Sequence, residues 1–125
     1  MIDKKLEIVL NSNFDVIYCF DSYEQIPFDL IKNNLNINSK LTLAYEPTWA
    51  IGTGETATVE HIEEIHSKVR SSLESIDIRD IPILYGGSVN PANSNQIIHA
   101  NNVNGVLVGG ASTKFDQLQG IINSI

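Results

Sequence analysis

The sequence predicts an α/β domain built on one parallel sheet of about four strands, accompanied by about five helices. Short and almost wholly apolar segments alternate with amphipathic helical segments along the 125 residues, and strands of that kind are typical of parallel sheets buried on both faces. Three of the four loops that follow predicted strands are rich in glycine. Because function in such folds collects at the carboxyl ends of the strands, these loops are the candidate site.

The first half of the chain supplies two predicted strands and two helices. A helix opens the chain with an apolar face formed by Ile2, Leu6, Val9 and Leu10. Residues 15–20 are β-branched and aromatic, which predicts the first strand, and Asp21 and Ser22 turn the chain. Pro27 suits the first position of a short helix that reaches about Asn34. Residues 41–45 form the second apolar strand.

The second half repeats the same alternation. Thr58 is a plausible N-cap for the strongest predicted helix, whose apolar residues recur every three to four positions. They are Val59, Ile62, Ile65, Val69 and Leu73. Residues 81–85 predict the third strand, and Asn90 followed by Pro91 would begin the next helix. Residues 103–108 predict the fourth strand. A last helix would carry one apolar face formed by Phe115, Leu118, Ile121, Ile122 and Ile125.

Composition and charge exclude several classes of protein. A formal net charge of −7 argues against non-specific binding of nucleic acid, which needs clustered lysine and arginine. The single cysteine, Cys19, excludes an intramolecular disulfide and favours a reducing cytoplasm. No apolar run approaches the length of a membrane-spanning helix, and the N-terminus lacks an apolar signal core, so we expect no membrane association.

The residue pattern predicts no metal site and no cofactor. His61 and His66 share a helix but stand five residues apart, whereas two zinc ligands on one helix face stand four apart. With His99, we expect them to be surface or partly buried structural histidines. Cys19 ends an apolar strand and is expected to pack as a small hydrophobic residue.

The loop after the second predicted strand is the longest connection, at about a dozen residues, and loops of that length are usually functional or disordered. Its entry is bulky, at Pro47 and Trp49, and its exit contains Gly52 and Gly54. Such a segment could swing as a unit between two hinges. Glu46 stands where the strand stops. Under an apolar lid it could act as a general base, and the alternative is an ordinary solvated carboxylate.

Two further loops combine glycines with a following helix start. Residues 81–113 contain no Asp, Glu, Lys or Arg, so an anion bound there must be held by backbone N–H groups and helix N-termini. Gly87-Ser88 and Gly109-Gly110, together with Gly52, could form one phosphate cup. The alternative is that double glycines after strands only make tight turns.

Three motifs resemble the triosephosphate isomerase family. Residues 44–54, Ala-Tyr-Glu-Pro-Thr-Trp-Ala-Ile-Gly-Thr-Gly, are similar to its catalytic-glutamate and lid segment. Residues 85–89 and 107–112 look like its next two phosphate-binding loops, in the same order. The resemblance covers essentially the whole chain and thins before residue 40. It implies half of a TIM (β/α)8 barrel, with residues 1–125 forming barrel units five to eight after a helix of unit four.

The resemblance implies an activity and assigns residues to it. The family interconverts dihydroxyacetone phosphate and glyceraldehyde 3-phosphate through an enediol, in glycolysis and gluconeogenesis. By position Glu46 would be the base. The substrate phosphate would be held by Gly52, Ser88 and Gly110, with Gly109 beside them.

The resemblance also describes a lid. Ile51 and Leu107 would close over the carboxylate, and Tyr85 and Ser88 would latch the closed lid. The hinges would be residues 47–49 and 55–57. The lid segment would comprise Pro47, Thr48, Trp49, Ala50, Ile51, Thr53 and Gly54.

The chain also departs from the family pattern. The family fold has eight units in about 250 residues, whereas this chain supplies four, and the substrate-binding lysine and carbonyl-polarising histidine of the other half have no counterpart. We therefore expect weak activity alone, and either a homo-oligomer, a homodimer by family, or a missing N-terminal half as partner. The family's Cys-Ile-Gly-Glu is replaced by Cys19-Phe20-Asp21-Ser22, so a supporting glutamate is absent, and Glu55 reverses a hinge charge. The alternative function is a non-catalytic phosphate-binding or barrel-completing module.

Overall fold

The computed structural model describes residues 2–34, 40–50 and 55–125. One sheet contains four parallel strands in the order β1-β2-β3-β4, so each strand pairs with the next in the chain. The strands are β1 (Val16–Phe20), β2 (Leu41–Tyr45), β3 (Ile83–Tyr85) and β4 (Gly105–Val106). The helices are α1 (Ile2–Leu10), α2 (Phe28–Asn33), α3 (Val59–Ser75), α4 (Ser94–Ile98) and α5 (Phe115–Ile122). The predicted parallel α/β class is confirmed, and the architecture is consistent with half of a TIM barrel.

The register brings the carboxyl ends of the strands to one edge. Phe20, Tyr45, Tyr85 and Val106 are partners in a single row across the sheet. Beyond that row, the first residue after each of two strands bonds back to the strand before it: Glu46 N–H donates to the Phe20 carbonyl, and Gly86 N–H donates to the Tyr45 carbonyl, both over 2.8 Å. The predicted functional loops therefore leave the sheet side by side.

One face of the sheet is packed and the other is open along β1. Successive side chains of a strand point to opposite faces. Tyr18 and Phe20 are buried, whereas Ile17 is 51% exposed and Cys19 is exposed. The prediction that Cys19 packs as a small hydrophobic residue is therefore wrong, because its side chain lies on the open face. The side chains on this face of β1 could be buried only if further residues covered it.

The helix α3 was predicted closely. It begins after Thr58, whose hydroxyl accepts a hydrogen bond from the His61 backbone N–H over 3.2 Å, as an N-cap does. Its buried face packs Ile62, Val69 and Leu73 into the core. None of the described helices is both long and apolar enough to cross a membrane.

Four predicted elements differ from the structure. Strand β3 begins at Ile83, so residues 81 and 82 of the predicted strand lie outside it. Helix α4 begins at Ser94, because the Asn90 side chain instead closes a turn by accepting from the N–H groups of Ala92 and Asn93. Strand β4 is shorter than residues 103–108, since β3 offers only three residues to pair with. In α5 the predicted apolar face is largely uncovered. Ile121 is buried, whereas Phe115 and Ile122 are 76% and 58% exposed.

His66 is fully buried, so its predicted surface or partly buried position is wrong. Its Nδ1 lies 3.0 Å from the Asn102 carbonyl oxygen. A carbonyl only accepts, so Nδ1 carries the hydrogen, and Nε2 has no partner among the described residues. Burial lowers the pKa of His66 to about 4; the Asn102 carbonyl opposes this shift and the Arg70 charge adds to it.

We expect the free energy of unfolding to fall as pH drops from about 6.5 to about 4. In that window the unfolded chain binds a proton at His66 and the folded chain does not, so this contribution is complete above pH 6.5 and is lost as pH falls through the folded pKa. The full difference amounts to about 3 kcal/mol. Urea unfolding across this range measures it.

His66→Phe should remove this part of the pH dependence, and His99→Gln, at an exposed position, should retain it. An unchanged pH dependence in His66→Phe would contradict the assignment.

Candidate active site

Three neighbouring strand ends enclose a cleft of about 760 Å³, a volume typical of small-molecule sites. The residues lining it are Glu46, Gly86, Gly87, Ser88, Val89, Leu107, Val108, Gly109, Gly110, Ala111, Lys114 and Gln117. The structure thus brings together five residues predicted from the sequence: Glu46, Ser88, Leu107, Gly109 and Gly110. The predicted residues Ile51, Gly52, Thr53 and Gly54 lie outside the described residues. Pro47, Thr48, Trp49, Ala50 and Tyr85 do not line the cleft.

Glu46 is held at the cleft from both sides of its strand. Its backbone N–H is bonded to Phe20, and its side chain lies against Gly86 at the end of β3. A Cβ at Gly86 would stand 2.6 Å from Glu46 Cγ and 3.0 Å from Oε1. Glycine at position 86 therefore provides the room that the carboxylate occupies, and a larger residue would displace it.

Cys19 lies beside Glu46 on the open face of the sheet. Partial burial raises the pKa of the Cys19 thiol to about 11, with further contributions from the negative charge of Glu46 and a hydrogen bond to its side chain. The thiol therefore stays protonated at neutral pH and is a poor nucleophile. A residue expected only to pack is thus a neighbour of the candidate base.

Tyr85 lies below the loop after β3 with its ring fully buried. Its hydroxyl has no hydrogen-bond partner among the described residues. Burial raises the pKa of the phenol. A Cβ at Gly87 would stand 2.0 Å from this hydroxyl, so the glycine at position 87 is required by the tyrosine packed against it.

Ser88 joins the loop after β3 to both flanks of residues 51–54. Its hydroxyl donates to the Ala50 carbonyl, and its carbonyl accepts from the Thr56 hydroxyl over 3.5 Å. Asn93 completes the connection, since its Nδ2 donates to the Ser88 carbonyl over 3.0 Å and to Thr56 Oγ1 over 3.2 Å. The predicted latch role of Ser88 stays a prediction, and Asn93 was not predicted at all.

Gly109 and Gly110 differ from Gly86 and Gly87 in one respect. A Cβ built on either residue meets nothing within 4 Å, and both residues line the cleft. Protein packing among the described residues therefore gives no reason for glycine at these two positions. Their lack of side chains keeps the cleft open and leaves backbone N–H groups accessible to a ligand.

The segment after Glu46 forms a single 3₁₀ turn, Thr48–Ala50, closed by a bond from the Ala50 N–H to the Pro47 carbonyl over 2.9 Å. Trp49 is 47% exposed, and its ring centroid lies 6.2 Å from that of His61. His61 Nε2 is 3.0 Å from the Tyr45 hydroxyl. Trp49 of the first predicted hinge thus lies near His61 in the first turn of α3, and His61 in turn contacts Tyr45 at the end of β2.

Sequence reasoning missed Lys114 and Gln117, which line the cleft at the start of α5. One sequence feature could have indicated Lys114, since it directly follows residues 81–113, which contain no Asp, Glu, Lys or Arg. In the ranges that the structure describes, no three His, Cys, Asp or Glu side chains are grouped as a metal site requires.

Comparison with known proteins relates the whole chain to triosephosphate isomerase, the family that its sequence motifs resemble. The family model described as triosephosphate isomerase matches residues 1–125. Proteins named triosephosphate isomerase include one from Flavobacterium johnsoniae, 37% identical over 100% of this chain and 57% of its own length. One from Helicobacter hepaticus is 39% identical over 98% of this chain and 54% of its own length. One from Jannaschia is 49% identical over 70% of this chain and 36% of its own length. The chain spans about half the length of the curated relatives it matches.

We expect Gly87→Ala to destabilise the fold by about 1–3 kcal/mol, as overpacking does, because Tyr85 is buried and cannot move freely away from the new methyl group. Gly109→Ala is the matched control and should change the free energy of unfolding by less than about 0.5 kcal/mol. Urea unfolding followed by circular dichroism measures both. Equal effects of the two substitutions would show that the Tyr85 contact does not require glycine at position 87.

Proposed function

The chain belongs to the triosephosphate isomerase family, and we propose that it interconverts dihydroxyacetone phosphate and glyceraldehyde 3-phosphate with Glu46 as the base. The observation that carries this proposal is the cleft itself. A carboxylate and two glycine turns meet there, and the glycines at 109 and 110 have no packing reason to be glycine. A ligand that occupies that space accounts for them.

The proposed reaction moves one proton between neighbouring carbons. Glu46 removes a proton from the hydroxyl-bearing carbon beside the carbonyl, which gives an enediolate. The hydroxyl proton of that carbon moves to the former carbonyl oxygen, and the carboxylic acid of Glu46 returns its proton to the former carbonyl carbon as the new carbonyl forms. Its side chain lies against Gly86 and beside Cys19, whose protonated thiol does not compete as a base. Substrate and product have the same atoms, so the cleft has to hold one small phosphorylated molecule throughout.

The phosphate is proposed to lie against the glycine turns. Ser88, Gly109 and Gly110 would donate backbone N–H groups, with Gly52 completing the cup. Residues 81–113 contain no Asp, Glu, Lys or Arg, so the cation nearest in sequence to these donors is Lys114, which also lines the cleft. Such a binding mode relies on closely approached backbone dipoles.

A lid over this cleft is also proposed. It would comprise residues 47–54, hinged at 47–49 and 55–57, with Ile51 and Leu107 closing over the carboxylate. Tyr85 and Ser88 would latch it. The bonds of Ser88 to Ala50 and Thr56 support a latch, because they connect both flanks of the segment to one loop.

We propose that the chain forms units five to eight of the barrel and is a weak catalyst alone. Removing one electrophilic donor costs about 10²- to 10³-fold in rate in comparable enzymes, and neither the lysine nor the histidine has a counterpart here. The open face at Ile17 and Cys19 favours a partner that completes the barrel, either an N-terminal half or a second copy. That face equally supports the second candidate, a non-catalytic phosphate-binding or barrel-completing module. The cytoplasm is the proposed compartment.

Glu46→Gln separates the two functions. In a coupled isomerase assay, with the chain mixed with a fragment that supplies the missing lysine and histidine, the substitution should lower kcat about 10²- to 10⁴-fold because the base is lost. Binding of inorganic phosphate, measured by calorimetry, should change little. Glu60→Gln, at an exposed position of α3, is the control. Phosphate binding without any turnover in the wild-type mixture would favour the non-catalytic module.

Gly110→Val tests the phosphate cup. A Cβ at position 110 has no described protein atom within 4 Å, so the melting temperature should be kept. The valine side chain occupies cleft volume and should weaken phosphate binding by at least about tenfold, the equivalent of about 1.4 kcal/mol. Ala92→Val, at an exposed position outside the cleft, should leave the affinity unchanged. Wild-type affinity in Gly110→Val would contradict the proposed location of the phosphate.

A further inference from the structure

The side chain of Asp21 connects two loops at the edge of the cleft. Its Oδ1 accepts a hydrogen bond from the Thr48 backbone N–H over 2.9 Å, and its Oδ2 accepts one from the Thr48 hydroxyl over 3.0 Å. Asp21 follows β1 directly, and Thr48 is two residues beyond Glu46. Both oxygens of one carboxylate are thus used on a single residue of the segment that follows the candidate base.

The pairing of β1 and β2 explains why a side chain is needed there. The ladder ends with the Glu46 N–H donating to the Phe20 carbonyl. In a parallel ladder the next donor on the same side is two residues further along, which is Thr48. Because β1 ends at Phe20 and the chain then turns, the Asp21 carboxylate supplies the acceptor that the main chain of β1 no longer offers. A charged acceptor makes the stronger kind of hydrogen bond.

The turn that carries Asp21 is itself fastened. Gln25 Oε1 accepts from the Asp21 backbone N–H over 2.7 Å and from the Ser22 N–H over 3.5 Å. On the other side, the 3₁₀ turn Thr48–Ala50 is held at its far end by the bond from Ser88 to Ala50. This turn is therefore fixed at its start by Asp21 and at its end by Ser88.

We propose that Asp21 is a positioning residue that fixes the main chain at Thr48 and thereby holds the Glu46 carboxylate in place against Gly86. This proposal rests on the proposed function, because it takes Glu46 as the reacting group. Ser22 stands at the position where the family pattern has a supporting glutamate. Asp21, one residue earlier, provides a carboxylate to the same segment through a different contact.

The chain contains a reporter for this segment. Trp49 is its only tryptophan and directly follows Thr48. Asp21→Ala should raise acrylamide quenching of Trp49 fluorescence at least about twofold, because the contact that holds the start of an exposed turn is removed. Asp80→Ala removes the same charge from an exposed loop at the opposite end of the sheet and should leave quenching unchanged.

Thr48→Val provides a second variant at an exposed position, where loss of the fold is not expected. It removes only the hydroxyl bond, so its effect on quenching should be smaller than that of Asp21→Ala. Combined with Asp21→Ala it should add nothing, since the carboxylate partner is already gone. Wild-type quenching in both single variants, or additive effects in the double variant, would overturn the proposal.

Cys19 reports on Glu46 without any need for turnover. Glu46 contributes to the raised pKa of this single cysteine, so displacement of the carboxylate should lower the thiol pKa and raise the rate of alkylation by iodoacetamide at pH 8. Each unit by which the pKa of the Cys19 thiol falls increases the thiolate fraction about tenfold. Thr48→Val keeps the Asp21 charge and is therefore the variant to compare with Glu46→Gln.

Faster alkylation in Thr48→Val than in the wild type supports positioning of Glu46 by this contact, and wild-type rates in Thr48→Val and Asp21→Ala would contradict it. In the mixture assayed for isomerase activity, Asp21→Ala should lower kcat more than it raises KM. If the wild-type mixture shows no turnover, the proposed function fails while quenching and alkylation still decide the role of Asp21.

Discussion

The in-register pairing of the parallel strands at their carboxyl ends determines where the site lies. Phe20, Tyr45, Tyr85 and Val106 form one row, and the next main-chain bonds beyond it, from Glu46, Gly86 and Leu107, tie each loop to the end of the preceding strand. A shift of one residue in any strand would turn its side chains to the other face. The cleft exists because three loops begin from one level of the sheet.

Where the main-chain ladder stops, polar side chains take over its bonds. Asp21 accepts from Thr48 after β1 has turned away, and Asn93 joins Ser88 to Thr56 on the other side of the same long loop. These bonds pair two main-chain groups that the ladder does not reach, the Thr48 N–H and the Ser88 carbonyl. Short polar residues after strands therefore hold the two ends of the loop that follows Glu46.

The four glycines of the cleft have two different physical reasons. Gly86 and Gly87 are small because Glu46 and Tyr85 occupy the space that a side chain would need. Gly109 and Gly110 are small although no described protein atom lies near. The double glycine is thus one sequence pattern with two causes. The atoms that an added Cβ would meet distinguish a glycine required by packing from a glycine that leaves space for the proposed phosphate.

The sequence by itself determined the alternation of strands and helices, the long α3 helix and the positions of Glu46 and the glycine turns along the chain, because these depend on local periodicity and on residues at strand ends. Only the tertiary structure decided the length of β4, which follows its three-residue partner β3, and the start of α4, which Asn90 delays. It also decided which side chains are buried: the imidazole of His66 is buried, while Cys19 and most of the α5 face are not. The contact between Asp21 and Thr48 joins residues far apart in the chain, so no local pattern contains it. Such contacts depend on register between strands, which a sequence specifies only once the whole sheet has formed.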